Sequence, residues 1–158
     1  MLAVREKRAD DAESLKALWT DHFGAPVVVV RARKHDPIKL PGFVAEGDGK
    51  LLGAVTFLRE EDEIEIITLD SAVENRGVGT ALLDAVAKLA KEQGVWRLCL
   101  VTTNDNIRAI RFYQKRGWNL CGFYRDAVTA ARKIKAQIPL TGEDGIPIRH
   151  EIEFELRL

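Results

Sequence analysis

Two stretches of this chain concentrate groups suited to chemistry. The first is the turn Glu74-Asn75-Arg76-Gly77-Val78-Gly79-Thr80, which follows an extended run and opens a helical pattern. Glycines at 77 and 79 let backbone N–H groups approach a ligand with no Cβ in the way, and a helix starting there turns its positive dipole end outward. A row of free N–H groups with Arg76 beside it suits a phosphate or pyrophosphate. Two phosphate loops are disfavoured. No Gly-Lys-Ser/Thr string follows for a P-loop, and Leu82 stands where a dinucleotide-binding GxGxxG needs its third glycine. On its own, the glycine pair is equally compatible with a helix start that binds nothing.

The second stretch is Asn106-Ile-Arg-Ala109-Ile-Arg-Phe112-Tyr113-Gln-Lys115-Arg-Gly117-Trp118. It resembles the N-x-x-A-x-x-[LF]-Y-x-K-x-G-[FW] signature of the GNAT superfamily, the acyl-CoA-dependent N-acetyltransferases. The turn at Glu74 to Gly79 resembles the same family's [QR]-x-x-G-x-[GA] motif, and the two fall in the family's order with a strand between them. The resemblance covers roughly Leu2 to Tyr124 plus the last strand. It implies an α+β fold: a mixed, mostly antiparallel sheet of about seven strands, flanked by helices. The fourth and fifth strands, here Glu63 to Leu69 and Trp96 to Thr102, would splay apart around the pantetheine arm of acetyl-CoA.

The same resemblance implies roles for individual residues. The backbone of Ile67, Thr68 and Leu69 would hydrogen-bond the pantetheine. The N–H groups of Arg76, Gly77, Val78, Gly79 and Thr80 would wrap the pyrophosphate. Asn106 would hold the pantetheine side of the cofactor, and Tyr113 would sit near the thioester sulfur. One residue departs from the pattern: Glu74 occupies the position of a Gln or Arg. A carboxylate facing a pyrophosphate is repulsive in a poorly screened site, so Glu74 is expected to point away.

The implied reaction moves an acetyl group from acetyl-CoA to a primary amine of a small molecule, peptide or protein by direct attack on the thioester. An alkylamine has a pKa near 10 and is mostly protonated at neutral pH. Transfer therefore needs a base and an acid for the departing thiolate. Tyr113 is the candidate acid; the alternative is that it only packs against the cofactor. Glu63 falls where some members carry a base glutamate. Glu65 shares its strand face and lies closer to the expected thioester. Either would act directly or through water, unless both merely form the polar face of a strand. The competing function is a non-catalytic acyl-CoA-binding or sensory domain of the same fold.

The elements that must position these groups are legible as patterns. Asp10 with Glu13 fits a capping box before a helix carrying Leu15, Leu18 and Trp19, with a short strand at Leu2 to Val4 ahead of it. Val27 to Ala32 reads as extended, and Gly42 to Leu58 as a hairpin about Gly47-Asp48-Gly49. Alternation along Glu63 to Leu69 places Glu63, Glu65, Ile67 and Leu69 on one face, and Ile64, Ile66 and Thr68 on the other. Val78, Leu82, Ala85, Val86 and Leu89 form the stripe of a helix closed by Gly94. A helix capped at Asp126 would bury Val128, Ala131, Ile134 and Ile138. With the Gly/Pro-rich loop behind it, residues 126–148 form either a wall over the acceptor site or a packing or dimer element. HEIEFELRL alternates strictly and reads as a final half-buried, antiparallel strand.

The remaining features set bounds. The 158 residues suit one domain spanning 1–158, and 24 Lys+Arg balance 24 Asp+Glu. That balance argues against a nucleic-acid or anionic-membrane partner. The charged start MLAVREKRADD is no signal peptide, and the chain reads as cytoplasmic. Cys99 and Cys121 lie in apolar runs and read as buried, reduced spectators. His22, His35 and His150 are too scattered for a metal site, so none is expected, and they read as surface residues. Arg31 to His35 is a basic cluster, either a solvated extended segment or a contact for an anionic substrate. A homodimer stays open.

Overall fold

The computed structural model describes residues 1–74 and 76–158. In chain order its main elements are β1 (Ala3–Glu6), α1 (Ala12–Phe23), β2 (Val28–Val30), β3 (Arg33–His35), β4 (Gly42–Gly47), β5 (Lys50–Glu60) and β6 (Glu63–Ser71). There follow α2 (Val78–Glu92), β7 (Arg97–Thr103), α3 (Ile107–Lys115), β8 (Asn119–Tyr124), α4 (Ala127–Ala131) and β9 (Glu151–Arg157). Among the described residues, seven strands form one sheet in the order β1-β4-β5-β6-β7-β9-β8. Within it β6 and β7 run parallel, and every other neighbouring pair is antiparallel. The mixed, mostly antiparallel sheet expected from the sequence is therefore present; β9 is antiparallel as expected but buried on both faces, at Glu151 and Glu153 as well as Phe154.

Each face of the sheet is closed by the stripe of a different helix. Leu82, Leu83, Val86 and Ala90 of α2 pack on Val55, Phe57, Ile64, Ile66, Leu98, Leu100 and Phe154. Leu15 and Trp19 of α1 pack on Val44 and Ala54 from the other side. Neighbouring residues of one strand serve opposite layers, as Val44 and Ala45 do, because side chains alternate across a pleated strand.

Four local expectations are corrected. The start of α1 is organised by Asp11 rather than Asp10. Its carboxylate accepts the Arg8 N–H at 2.7 Å and grips Arg5 through two bonds of 2.8 and 2.9 Å, after a short 3-10 turn. Val28–Val30 is extended as expected, and Arg33 and Lys34 lie exposed on a second strand. The two strands, however, form a tight hairpin, β2 to β3, turning at Arg31 and Ala32 with φ of 49° and 60°, and His35 is buried. Both turn residues adopt the left-handed conformation favoured in two-residue hairpins, without the glycine or asparagine that usually signals it. The helix after Asp126 has only five residues, and Ile134 is exposed while Lys135 is buried.

The reason lies in long-range polar contacts. Arg132 donates to the carbonyls of Ile138, Pro139 and Ile148, and Lys135 Nζ donates to those of Phe23 and Val27 at 2.8 and 3.0 Å. Two cations shape the segment where apolar periodicity pointed to a longer helix. Finally, Cys99 is buried as expected, but Cys121 is exposed on β8.

Candidate active site

The sheet opens at one residue. Opposite β5, Thr56 pairs with Thr68 but Phe57 pairs with Ile66, so Ile67 is an extra residue, a β-bulge. Pairing between β6 and β7 stops at Ile66 opposite Leu100, although the strands continue to Ser71 and Thr103. The two strands therefore splay beyond Ile66. Backbone groups of Ile67, Thr68 and Leu69 that point toward β7 have no sheet partner there.

The bulge also overturns the strict alternation read from the sequence. Thr68, hydrogen-bonded to Thr56 at 2.7 Å, and Asp70, bonded to His22 of α1 at 3.0 Å, share the α1 face with Glu63 and Glu65. Leu69 crosses to the α2 core beside Ile64 and Ile66.

The helix start expected at Gly77 is present. Gly77 has φ of 72°, a left-handed conformation that suits glycine, and no side chain caps α2. The first intrahelical bond runs from the Ala81 N–H to the Gly77 carbonyl at 3.0 Å, so the N–H groups of Val78, Gly79 and Thr80 lie ahead of it. Gly79 admits the Phe112 ring of α3; a Cβ there would sit 3.0 Å from it. Arg76 is exposed, with no ion-pair partner among the described residues. Asn75 of the same turn lies outside the described residues.

A second cation, not anticipated from the sequence, is Arg116, which donates to the Thr80 hydroxyl at 2.8 Å and stacks 3.6 Å over Phe112. Glu74 pairs with Arg108 of α3, so its charge is compensated on the surface.

Asn106 caps α3 through the Ala109 N–H at 3.2 Å and donates to the Thr102 hydroxyl of β7 at 3.2 Å. Two turns on, Tyr113 is 7% exposed, its ring against Phe112, Trp118 and Phe154. Its hydroxyl makes no hydrogen bond among the described residues. Burial, with Asp70 nearby, pushes its pKa well above the usual phenol value, so the group stays protonated.

On the α1 face, Glu63 and Glu65 stand among charges the sequence did not connect. Glu65 pairs with Arg31 at 2.9 Å, and Glu63 with Arg97 at 3.5 Å. Arg97 also binds Glu153 at 2.7 Å and Glu155 at 2.6 Å, and the Tyr124 hydroxyl donates to Glu153. Burial works to raise the Glu153 carboxyl. The Tyr124 hydroxyl, Arg97 and Arg31 outweigh it and hold the group below the usual carboxylate range.

These residues come from β2–β3, β6, β7, β8 and β9, and no local motif joins them. The regular Glu151-x-Glu153-x-Glu155 spacing was the available signal, read only for its apolar partners. Of the histidines, His22 is exposed as expected, though it bonds Asp70, and His150 is partly exposed, its Nδ1 accepting the Asp126 N–H at 2.9 Å. His35 is corrected: it is 8% exposed. Residues 126–148 contribute Ala127 and Ala130 to a cavity of about 310 Å³ shared with Arg31, Ala32, Tyr124 and Glu151. Farther along, Glu143 lies 4.0 Å from Arg108 at the start of α3. The segment thus walls that cavity with α4 and reaches toward α3 with its tip.

This arrangement offers an open strand edge, an uncapped helix start and an unpaired phenol along one side of the splay, with carboxylates on the α1 face. Known proteins share the fold and the family. The model of the Acetyltransferase (GNAT) family matches residues 5–118. The chain is 41% identical over 139 residues to the uncharacterized protein YxbD of Bacillus subtilis (strain 168), spanning 87% of each. IAA acetyltransferase from Bacillus cereus ATCC 14579 superposes with a TM-score of 0.77 over 100% of both chains, at 21% identity. A GNAT family acetyltransferase from Elizabethkingia anophelis with acetyl-CoA bound gives 0.72 over 99% of this chain and 98% of that one, at 18% identity. These two likenesses concern the fold. The family match takes in the bulged strand, the helix start and the Asn106–Trp118 stretch together, and on that ground the chain belongs to the acetyltransferase (GNAT) family.

Proposed function

We propose that this chain transfers an acetyl group from acetyl-CoA to a primary amine of a small molecule, peptide or protein. The observation that carries the reading is the splay of β6 from β7 at Ile67, with the uncapped start of α2 beyond its open end. The open backbone of Ile67 to Leu69 suits the amide-bearing pantetheine arm. The N–H groups of Val78, Gly79 and Thr80, with Arg76 and Arg116, suit the pyrophosphate. Bound acetyl-CoA supplies the activated thioester.

The chain's own residues then hold the reactants and move protons. Tyr113 keeps its proton at neutral pH and has no other partner among the described residues, which fits a donor to the departing thiolate. Glu65 stands one residue before the last β6–β7 pair and receives the amine's proton directly or through water, with Arg31 as its counter-ion. Glu63, farther from the opening and paired to Arg97, orders the approach.

A second reading has one observation in its favour: both candidate bases are already held by arginines, as suits a domain that binds acyl-CoA without turnover. Release of free thiol from acetyl-CoA in the presence of a panel of primary amines separates the two. Amine-dependent release is expected. Calorimetric binding of acetyl-CoA with no release on any amine favours the binding domain, and no binding at all overturns both.

A further inference from the structure

The sheet face under α1 carries several carboxylates, and the charge of one is uncompensated. Glu63, Glu153 and Glu155 share Arg97, and Glu65 holds Arg31. Glu151 is 3% exposed yet forms no ion pair among the described residues. Its two oxygens share a single donor, the backbone N–H of Arg31, at 3.1 and 3.3 Å. The Arg31 guanidinium turns away, to Glu65 at 2.9 Å and Glu153 at 3.7 Å. A buried carboxylate served by one N–H is costly, and burial correspondingly raises its pKa.

Glu151 also faces space. It lines the 310 Å³ cavity whose other walls are Ala32, Ala127, Ala130, Tyr124 and Arg31. Three of those six residues are alanines, so the lining is largely apolar, with Glu151 as its one anion and Arg31 as its one cation. The turn that brings Ala32 and the Arg31 N–H there is held in left-handed backbone at two non-glycine residues.

We infer that this cavity binds the ammonium end of an alkyl diamine, with Glu151 as its counter-ion. The inference rests on the transferase reading for which nitrogen reacts. Glu151 pairs with Thr103, three residues beyond Leu100, where the splay begins. At 3.2–3.4 Å per residue that is roughly 10 Å along the strand. An ammonium at Glu151 is therefore too far from the apex to be the attacked amine, and a second amine on the same aliphatic chain reaches back toward Glu65. Glu151 positions the acceptor and takes no part in proton transfer.

The test uses 1,4-diaminobutane. Calorimetric titration of the whole protein is expected to show binding that weakens at least tenfold in Glu151→Gln and is unchanged in Glu60→Gln, an exposed control. Gln keeps the shape and removes a costly buried charge, so an unchanged or raised thermal midpoint verifies the fold. With acetyl-CoA present, Glu151→Gln is expected to raise KM for the diamine at least tenfold with kcat within about twofold. Equal affinity in wild type and Glu151→Gln, or no binding to the wild type, overturns the site. Glu151-dependent binding with no thiol release on the diamine or on the amine panel leaves the site standing and sinks the transferase reading. Transfer that ignores Glu151 does the reverse.

Discussion

Tyr113 and Asp70 show how burial prepares single groups. Packed among three aromatic rings, the Tyr113 hydroxyl is kept neutral by burial and by Asp70. Tyr113→Phe keeps the packing and removes the proton. It is expected to lower kcat about 100-fold at saturating substrates while leaving acetyl-CoA affinity unchanged; an unchanged kcat assigns Tyr113 to packing alone. Asp70 acts on stability through His22. Its hydrogen bond raises the His22 pKa against the opposing effect of burial. A histidine that holds its proton more tightly folded than unfolded adds stability that is fully present below roughly 6.5, its unfolded value. That stability is lost as pH rises through the folded value. The thermal midpoint of the wild type is thus expected to fall on going upward from about pH 6, and His22→Gln to flatten that fall.

At the scale of elements the bulge carries the most weight. Removing Ile67 leaves Phe57 opposite Ile66 and Thr56 opposite Thr68 as consecutive pairs, so regular β6 pairing is restored with every other side chain on its present face. A variant lacking Ile67 is expected to fold with unchanged or raised thermal stability and to lose acetyl-CoA affinity at least tenfold by calorimetry. Retained affinity would show that the opening does not depend on the extra residue. The bulge was not legible because it is a property of the pairing with β5, and EIEIITL alternates as smoothly as any regular strand. The Arg31–Ala32 turn escaped for a related reason, since neither residue type signals left-handed backbone. Gly77, Asn106 and Tyr113 were legible because each acts inside a local motif.

Across the molecule, the two faces of the splay are built differently. The α2–α3 face is assembled from neighbouring segments, and apart from Arg116 its candidate residues lie in local motifs. The face with Arg31, Tyr124 and Glu151 joins segments up to 120 residues apart, through bonds no periodicity records. Residues 126–148 are tied to the end of α1 and the turn after it by Lys135, whose Nζ donates to the Phe23 and Val27 carbonyls. Lys135→Met leaves both without that donor and is expected to cost about 2 kcal/mol in urea unfolding; an unchanged midpoint would show the tie to be dispensable. The extra residue at 67 has one more consequence. It works like an inserted letter that moves the reading frame: upstream the odd positions face α1, downstream the even ones do. A relative that gained or lost one residue between Glu63 and Ile66 would exchange carboxylates for core isoleucines, whereas one that lost residue 67 would keep its frame and close the door.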